Sequence, residues 1–223
     1  MKMDQDLKDT FPGLRVVELE IGNLIIKRSD PRLDKFKKRK YVEIRENIKS
    51  LDEVKQIPVF RAYRDFYWSV GIDPTKTRPA GEALTRRILS GRELPTINTF
   101  VDSYNLASAE SFVAIAAFDL SSVAKNALRM RKANLGETFW GIGMDSSIKL
   151  SGNEVVIEDE LNADLIAVYP YRDSNASKVT EKTQDVLMMM CGVPGVLDRD
   201  LERAKVLSQE YVERYCKFSS EQV

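Results

Sequence analysis

The stretch from Arg78 to Asp119 does most to limit what this chain can become. Two helix-like segments, punctuated by Gly91 and Pro95, run into an apolar string, Phe112–Phe118, that stops on Asp119. Glycine and proline break helices, and an unbroken apolar run of that length suits a strand covered on both faces. The stretch therefore reads as an αβ unit. It also crowds Arg78, Glu82, Arg86, Arg87, Asn98, Asp102 and Asn105 together. Such groups either pair within the fold or line a ligand cleft, and the pattern leaves both readings open.

Upstream, Val17, Leu19 and Ile21 alternate with Glu18 and Glu20, the period of a half-buried strand and the first ordered segment expected. Leu24–Ile26 can resume that strand beyond the Gly22-Asn23 turn. Asp30-Pro31 opens a helix, with aspartate at the N-cap and proline at the first turn. Between Arg32 and Lys49 lie eight basic and three acidic residues, among them Lys37, Lys38, Arg39 and Lys40. A run like this is a solvated helix face or a contact for RNA phosphates. A second helix spans about Pro58 to Val70, with Phe60, Tyr63, Phe66 and Tyr67 on one flank as core or, less simply, as a stacking surface for bases. Glu82 and Arg86 are four apart on the Pro79–Ser90 helix, with Arg78 a turn earlier. Asn98, Asp102 and Asn105 fall at helical spacing on the Ile97–Leu106 segment.

Downstream, Leu128 and Met130 alternate with Arg129 and Arg131, which suggests an edge strand whose arginines reach solvent or anions. Ile148–Ile157 reads as a hairpin with Ser151-Gly152-Asn153 at its tip. Leu165–Tyr169 is a short strand in the same sheet as Phe112–Phe118, with the Pro79–Ser90 helix packed on that sheet. It empties into a polar loop that would feed a helix capped by Ser177 or Thr180 and offer backbone N–H groups to an anion. Val186–Cys191 is expected as buried helix. The last helix carries Leu201, Ala204, Leu207, Tyr211 and Tyr215, and the closing KFSSEQV looks disordered.

Composition then narrows the function. The chain has 223 residues, 43% apolar and 30% charged, which is long enough for a sizeable core and typical of a globular protein. No run of eighteen apolar residues appears, so no membrane span is expected, and the N-terminus does not read as a secretory signal. Two cysteines are too few for a disulfide framework and point to a cytoplasmic setting. Net charge is zero and histidine is absent, so the commonest metal ligand and the usual neutral-pH base are missing. Any chemistry must use carboxylates, hydroxyls, backbone groups or the substrate itself. Glycine-rich nucleotide loops, a nucleophile elbow and cysteine/histidine metal sets are likewise missing, so no cofactor and no metal are expected. Met188–Met190 beside Cys191 reads as core packing rather than a soft-metal site.

A family resemblance rests on an ordered series of blocks: GIDPTKTRPAGEALTRRILSG from Gly71, LPTINTFVDSYNLAS from Leu94, AAFD from Ala116, LRMRKANLGE from Leu128, VVIEDE from Val155 and YRDSNASKVTEKT from Tyr171. Together they resemble the editing domain of the phenylalanyl-tRNA synthetase beta subunit, and more closely its free-standing relatives. The resemblance covers residues 51–196, with flanking elements at 11–49 and 198–216, and implies one α+β domain over residues 1–223, its strands and helices layered around a central cleft. It implies a protein that binds tRNA or aminoacyl-tRNA, with no DNA and no membrane partner, and that hydrolyses a misattached amino acid from tRNA by a positioned water. The family's block with Asp and Asn falls on Val101, Asp102 and Asn105. Its GE block falls on Gly136 and Glu137, and Ala116 stands where the synthetase has histidine. The synthetase's substrate-sensing glutamate has Asp173, Ser174 and Asn175 as its nearest counterparts.

Site candidates follow from both lines. The cleft would be lined by Arg78, Glu82, Asn98, Asp102, Asn105 and the Arg172–Asp173–Ser174 loop. Asp173 or Glu82 would orient the water, and Asn98 or Asn105 would hold the amino group or carbonyl. Arg129, Arg131, Arg172 and Lys37–Lys40 would hold RNA phosphates. The alternative is a non-catalytic module that keeps the cleft and binds RNA, an aminoacyl group or another protein. Neither the amino acid nor the oligomeric state is legible.

Overall fold

A computed structural model describes residues 1–217; the reading of the closing segment as disordered lies, from residue 218 on, outside the described residues. The chain opens with β1 (Lys2–Met3) and α1 (Gln5–Thr10), two short elements that precede the expected first strand, β2 (Arg15–Ile21). Residues 24–26 do not resume a strand; Leu24 and Ile25 instead donate to the Gln184 and Cys216 carbonyls. α2 (Pro31–Asn47) begins as its sequence dictates, because the Asp30 carboxylate accepts the Arg32 N–H at 2.8 Å and Pro31 needs no acceptor there. α3 (Leu51–Val54), α4 (Pro58–Ser69), α5 (Ala80–Leu89) and α6 (Thr99–Ser111) follow.

The next elements are β3 (Ile115–Asp119), β4 (Leu128–Lys132), β5 (Thr138–Phe139), β6 (Ile148–Lys149), β7 (Val155–Asp159), β8 (Asp164–Tyr169), β9 (Arg172–Asp173), β10 (Val186–Gly192) and α7 (Asp198–Cys216). They build an α+β fold with one five-stranded sheet, β1-β4-β7-β8-β9, one three-stranded sheet, β2-β10-β3, and the pair β5-β6. β3 and β8 thus belong to different sheets, not to one. α7 packs on α6 and over β2 and β10, while α5 packs on α6 and α2 rather than on a sheet. Among the described residues no helix is long and apolar enough to cross a membrane.

Four further expectations are corrected by pairing that a local reading does not contain. Val186–Gly192 is the central strand of the three-stranded sheet, every residue buried, rather than a helix. A seven-residue apolar run has no polar face, so its periodicity cannot tell the two apart. β4 is an interior strand between β1 and β7, not an edge. The Ser151–Asn153 turn exists, held by the Glu154 carboxylate on the Ser151 and Gly152 N–H groups, but the arms do not pair with each other. β6 joins β5, and β7 joins β4 and β8. The polar loop after β9 leads into β10, so there is no helix N-terminus to receive an anion.

The β3 strand starts three residues later than the apolar run, because Phe112 adopts a left-handed conformation that caps α6. Its N–H closes on the Ser108 carbonyl at 2.9 Å. α5 crosses close to this cap. A Cβ at Gly81 would lie 2.6 Å from the Phe112 carbonyl oxygen, so only glycine permits the approach.

The sheets divide the core by strand alternation. Val155, Ile157, Ala167 and Tyr169 join the main apolar cluster, which also takes in α2, α4, α6, α7 and β10. Val156 and Val168 point the other way and pack with Ala133, Phe139 and Leu150. The β5–β6 pair therefore sits over the back of the five-stranded sheet and, past Phe139, reaches round to β9.

Candidate functional site

Where the two sheets meet, the outer edge of β3 faces β9 across a pocket of about 160 Å³. Tyr104 and Asn105 of α6, Ala114–Ala116, Ala167–Tyr169 of β8 and Arg172–Asp173 of β9 line it, with Cys191 among them. β3 has β10 on one side only, so its other edge carries unpaired backbone groups. One of them, the Ala117 N–H, donates to the Asp173 carboxylate at 3.2 Å. Asp173 is fixed by β9, whose pairing sets it opposite Ala167, and by the Ile142 N–H on its own carbonyl at 2.9 Å.

Among the described residues Asp173 forms no ion pair. The residue keeps some contact with solvent, yet the protein packed round its carboxyl disfavours the charged form. Burial pushes its pKa up to about 7, and the single Ala117 N–H bond opposes this only in part. Burial also raises the Cys191 thiol and the Tyr104 phenol, so both stay protonated at neutral pH. Neither is then an anionic nucleophile. Asp173 can accept or release a proton near neutrality, the property required of a general base.

The cleft residues named from the sequence separate into two groups. Asn105, Arg172 and Asp173 meet in the pocket. Ser174 is buried beside it, its N–H on the Ile166 carbonyl and its hydroxyl accepting the Ala176 N–H. The rest lie elsewhere. Glu82 has no exposed surface and takes bonds from Arg64 at 2.8 and 2.9 Å and from Arg86 at 2.8 Å. Burial opposes its ionisation, but the two guanidiniums prevail and hold its pKa below the ordinary carboxylate value. Asp102 is buried against the Lys37 ammonium at 2.7 Å and accepts the Ile97 N–H at 2.9 Å. Asn98 caps α6 by accepting the Val101 N–H at 2.9 Å. Because Asn98 is extended, helical spacing does not place it on the face of Asn105. Arg78 is exposed and outside the lining.

The cations named for RNA are mostly satisfied internally. Arg129 binds Asp4 at 2.6 and 2.8 Å and approaches Glu160 at 3.4 Å. Arg131 lies between Glu137 and Glu158, each at 2.6 Å. On α2, Lys37 and Lys40 turn inward to Asp102 and to Glu43 and Glu110. Lys38 and Arg39 face solvent with only long contacts, 3.6 Å to Glu93 and 3.8 Å to Glu43. Arg172 differs from all of these. It donates to the Ile142 carbonyl at 2.8 Å, lies over the Tyr171 ring and makes no ion pair among the described residues.

Tyr104, Tyr169 and Cys191 were not anticipated at the site. The Tyr169-Pro170 peptide is cis, which turns the chain from β8 into β9. The Tyr-Pro-Tyr-Arg-Asp string was the available signal, since proline favours turns and cannot donate to a central strand's ladder. Among the described residues no three His, Cys, Asp or Glu side chains are grouped to hold a metal ion.

Comparison with known proteins adds three observations. The sequence model of a family described as the B3/4 domain matches residues 62–222. No curated protein matches. Among solved structures, one that the chain is similar to is an N-terminal fragment of the phenylalanyl-tRNA synthetase beta subunit from Pyrococcus horikoshii. The two are 14% identical with a TM-score of 0.49, over 97% of this chain and 49% of that one, so the chain spans about half that structure's length.

Proposed function

The chain belongs to the B3/4 domain family, and on that premise we propose that its pocket receives an aminoacyl group and cleaves the ester joining it to tRNA. The observation that carries this reading is Asp173: a carboxyl with no cation partner among the described residues, poised near neutrality, in a pocket sized for a small side chain. The resemblance places Ala116 where the synthetase keeps a histidine, and Ala116 lines this same pocket. Asp173 is the titratable side chain beside that position that can serve as the base.

In this reaction the ionised Asp173 carboxylate takes a proton from water while the water oxygen attacks the ester carbonyl carbon. Asn105 donates its carboxamide N–H to the developing oxyanion. As the tetrahedral species collapses, the ribose oxygen leaves and takes the proton back from Asp173, giving free amino acid and uncharged tRNA. An ester of this kind is intrinsically labile, so orienting one water supplies much of the acceleration.

The pairing of Arg129, Arg131, Lys37 and Lys40 with acids favours a second reading, a module that binds without catalysis. There the ionised Asp173 holds the ammonium of an amino acid. One experiment separates the two. Purified protein is incubated with a panel of correctly and incorrectly charged tRNAs, and amino-acid release is followed beside Asp173→Asn and Asn105→Ala. Release above the spontaneous rate that Asp173→Asn abolishes supports the hydrolase. Absence of release from every pair, with saturable binding of an aminoacyl ligand, supports the module.

A further inference from the structure

β3 turns its outer edge to the pocket, and its pairing fixes which main-chain groups point there. In an extended strand the N–H and C=O of one residue point to the same side, and successive residues alternate. The Cys191 N–H donates to the Ala114 carbonyl at 2.9 Å, so Ala114 faces β10. Ala117 and Asp119 face the other way, their N–H groups on the Asp173 carboxylate at 3.2 Å and the Ser177 carbonyl at 3.0 Å. Ile115, two residues before Ala117, faces this outer edge as well. Opposite Met190 it makes the pair that exchanges no hydrogen bonds. Among the described residues neither its N–H nor its C=O has a partner. Ile115 is only 9% exposed and lines the pocket. A main-chain donor and acceptor so shielded are ordinarily bonded, so both are left for whatever enters.

The complement of such a residue is narrowly defined. An antiparallel partner exchanges both bonds with it through one residue, whereas a parallel partner needs two. One α-amino acid unit is therefore the smallest group that satisfies Ile115, its carbonyl accepting from the N–H and its amino group donating to the C=O. An antiparallel partner also has its N-terminal side towards Ala117. There the edge is already taken, first by the Asp173 carboxyl and then by Ser177. A residue joined to the amino group would need the place of Asp173; a free ammonium would meet a carboxyl. The pocket volume of about 160 Å³ agrees with a single unit.

We propose that the Ile115 main chain docks the aminoacyl group, its N–H on the ester carbonyl oxygen and its C=O on the α-ammonium. The site then takes esters of amino acids whose amino group is free and refuses N-acylated and peptidyl esters. This rests on the pocket receiving an aminoacyl group, as in both readings above, and adds what orients it. In the hydrolytic reading the Ile115 N–H joins Asn105 on the oxyanion, and Asp173 stands on the amino-group side of the carbonyl carbon that water attacks.

The probes are the primary amides of the standard L-amino acids, which keep the ammonium and the carbonyl but not the labile ester. Each is titrated to millimolar concentration against isotope-labelled protein and followed by NMR. With the tightest-binding amide, the Ile115 N–H resonance is expected to shift saturably and its exchange with solvent to slow. The N-acetylated form of that amide is expected to bind at least about tenfold more weakly. In Asp173→Asn the preference for the free amine should persist, because the Ile115 carbonyl remains. Proline is tolerated at the first residue of a strand and where the N–H points away from the sheet. Ile115→Pro is therefore expected to fold and to bind at least about tenfold more weakly than Ile115→Val; if it does not fold, the wild-type resonance decides. An Ile115 resonance that no amide moves overturns the proposal, even if the wild type hydrolyses charged tRNA. Equal binding of the N-acetylated amide overturns it too. Saturable binding at Ile115, with no hydrolysis of any charged tRNA, defeats the hydrolase reading and leaves this docking standing.

Discussion

On the helical side of the molecule Glu82 lies wholly buried between Arg64 and Arg86, while in the pocket Asp173 faces one backbone N–H and, among the described residues, no cation. Both acids are shielded by protein, and desolvation pushes both towards the neutral form. Two guanidiniums reverse that push at Glu82; one amide cannot at Asp173. The helical region therefore uses its charge to hold helices together. The pocket keeps a carboxyl at an energetic cost to folding, and such a cost is expected where a group is retained for chemistry.

The largest effect should come from breaking the satisfied acid. Glu82→Ala leaves two partly buried arginines unpaired and is expected to cost about 3–5 kcal/mol, read as a lower urea midpoint. An unchanged midpoint would erase the contrast between the two regions. Asp173→Asn should instead keep the fold, since the amide oxygen still accepts from Ala117. Hydrolysis should drop by about a hundredfold or more. In the wild type the rate should climb as pH rises through about 7, when the carboxyl loses its proton, and then level off. A flat profile across that range would remove Asp173 as the base.

Stability should respond to pH with opposite signs at the two acids. Asp173 has a raised folded pKa, so between about pH 4 and 7 the unfolded chain ionises first and the fold loses stability as pH rises. Asp173→Asn removes that loss and is expected to be more stable than the wild type by about 1–3 kcal/mol at pH 8, with no gain at pH 4. Glu82 has a lowered folded pKa, so its contribution is present above about pH 4 and fades as pH falls below it. Equal pH dependence of Asp173→Asn and wild type would show that the pocket carboxyl carries no such cost. The smallest effect belongs to Arg129. Its pair with Asp4 is partly exposed, so Arg129→Ala should leave the urea midpoint almost unchanged and tRNA affinity within about twofold.

Much of the local architecture is legible in the sequence because it depends on near neighbours. Asp30 and Pro31 start α2, the aromatic flank of Phe60, Tyr63, Phe66 and Tyr67 gives α4, and the alternation around Val17–Ile21 gives β2. Each signal lies within one or two turns or a few strand residues. Tertiary pairing alone made a strand of Val186–Gly192, sent β6 to β5 and put β4 inside a sheet, because a strand is completed by residues far away in the chain. The site divides along the same line. In the sequence Glu82 and Asp173 are both acids among polar residues, each able to orient a water. Glu82 finds Arg64 across 18 residues, whereas Asp173 meets only an N–H 56 residues away, on the open edge of β3. Composition and spacing record which groups exist; burial and the partners brought in by folding decide which stays charged and bound and which is left poised to take a proton.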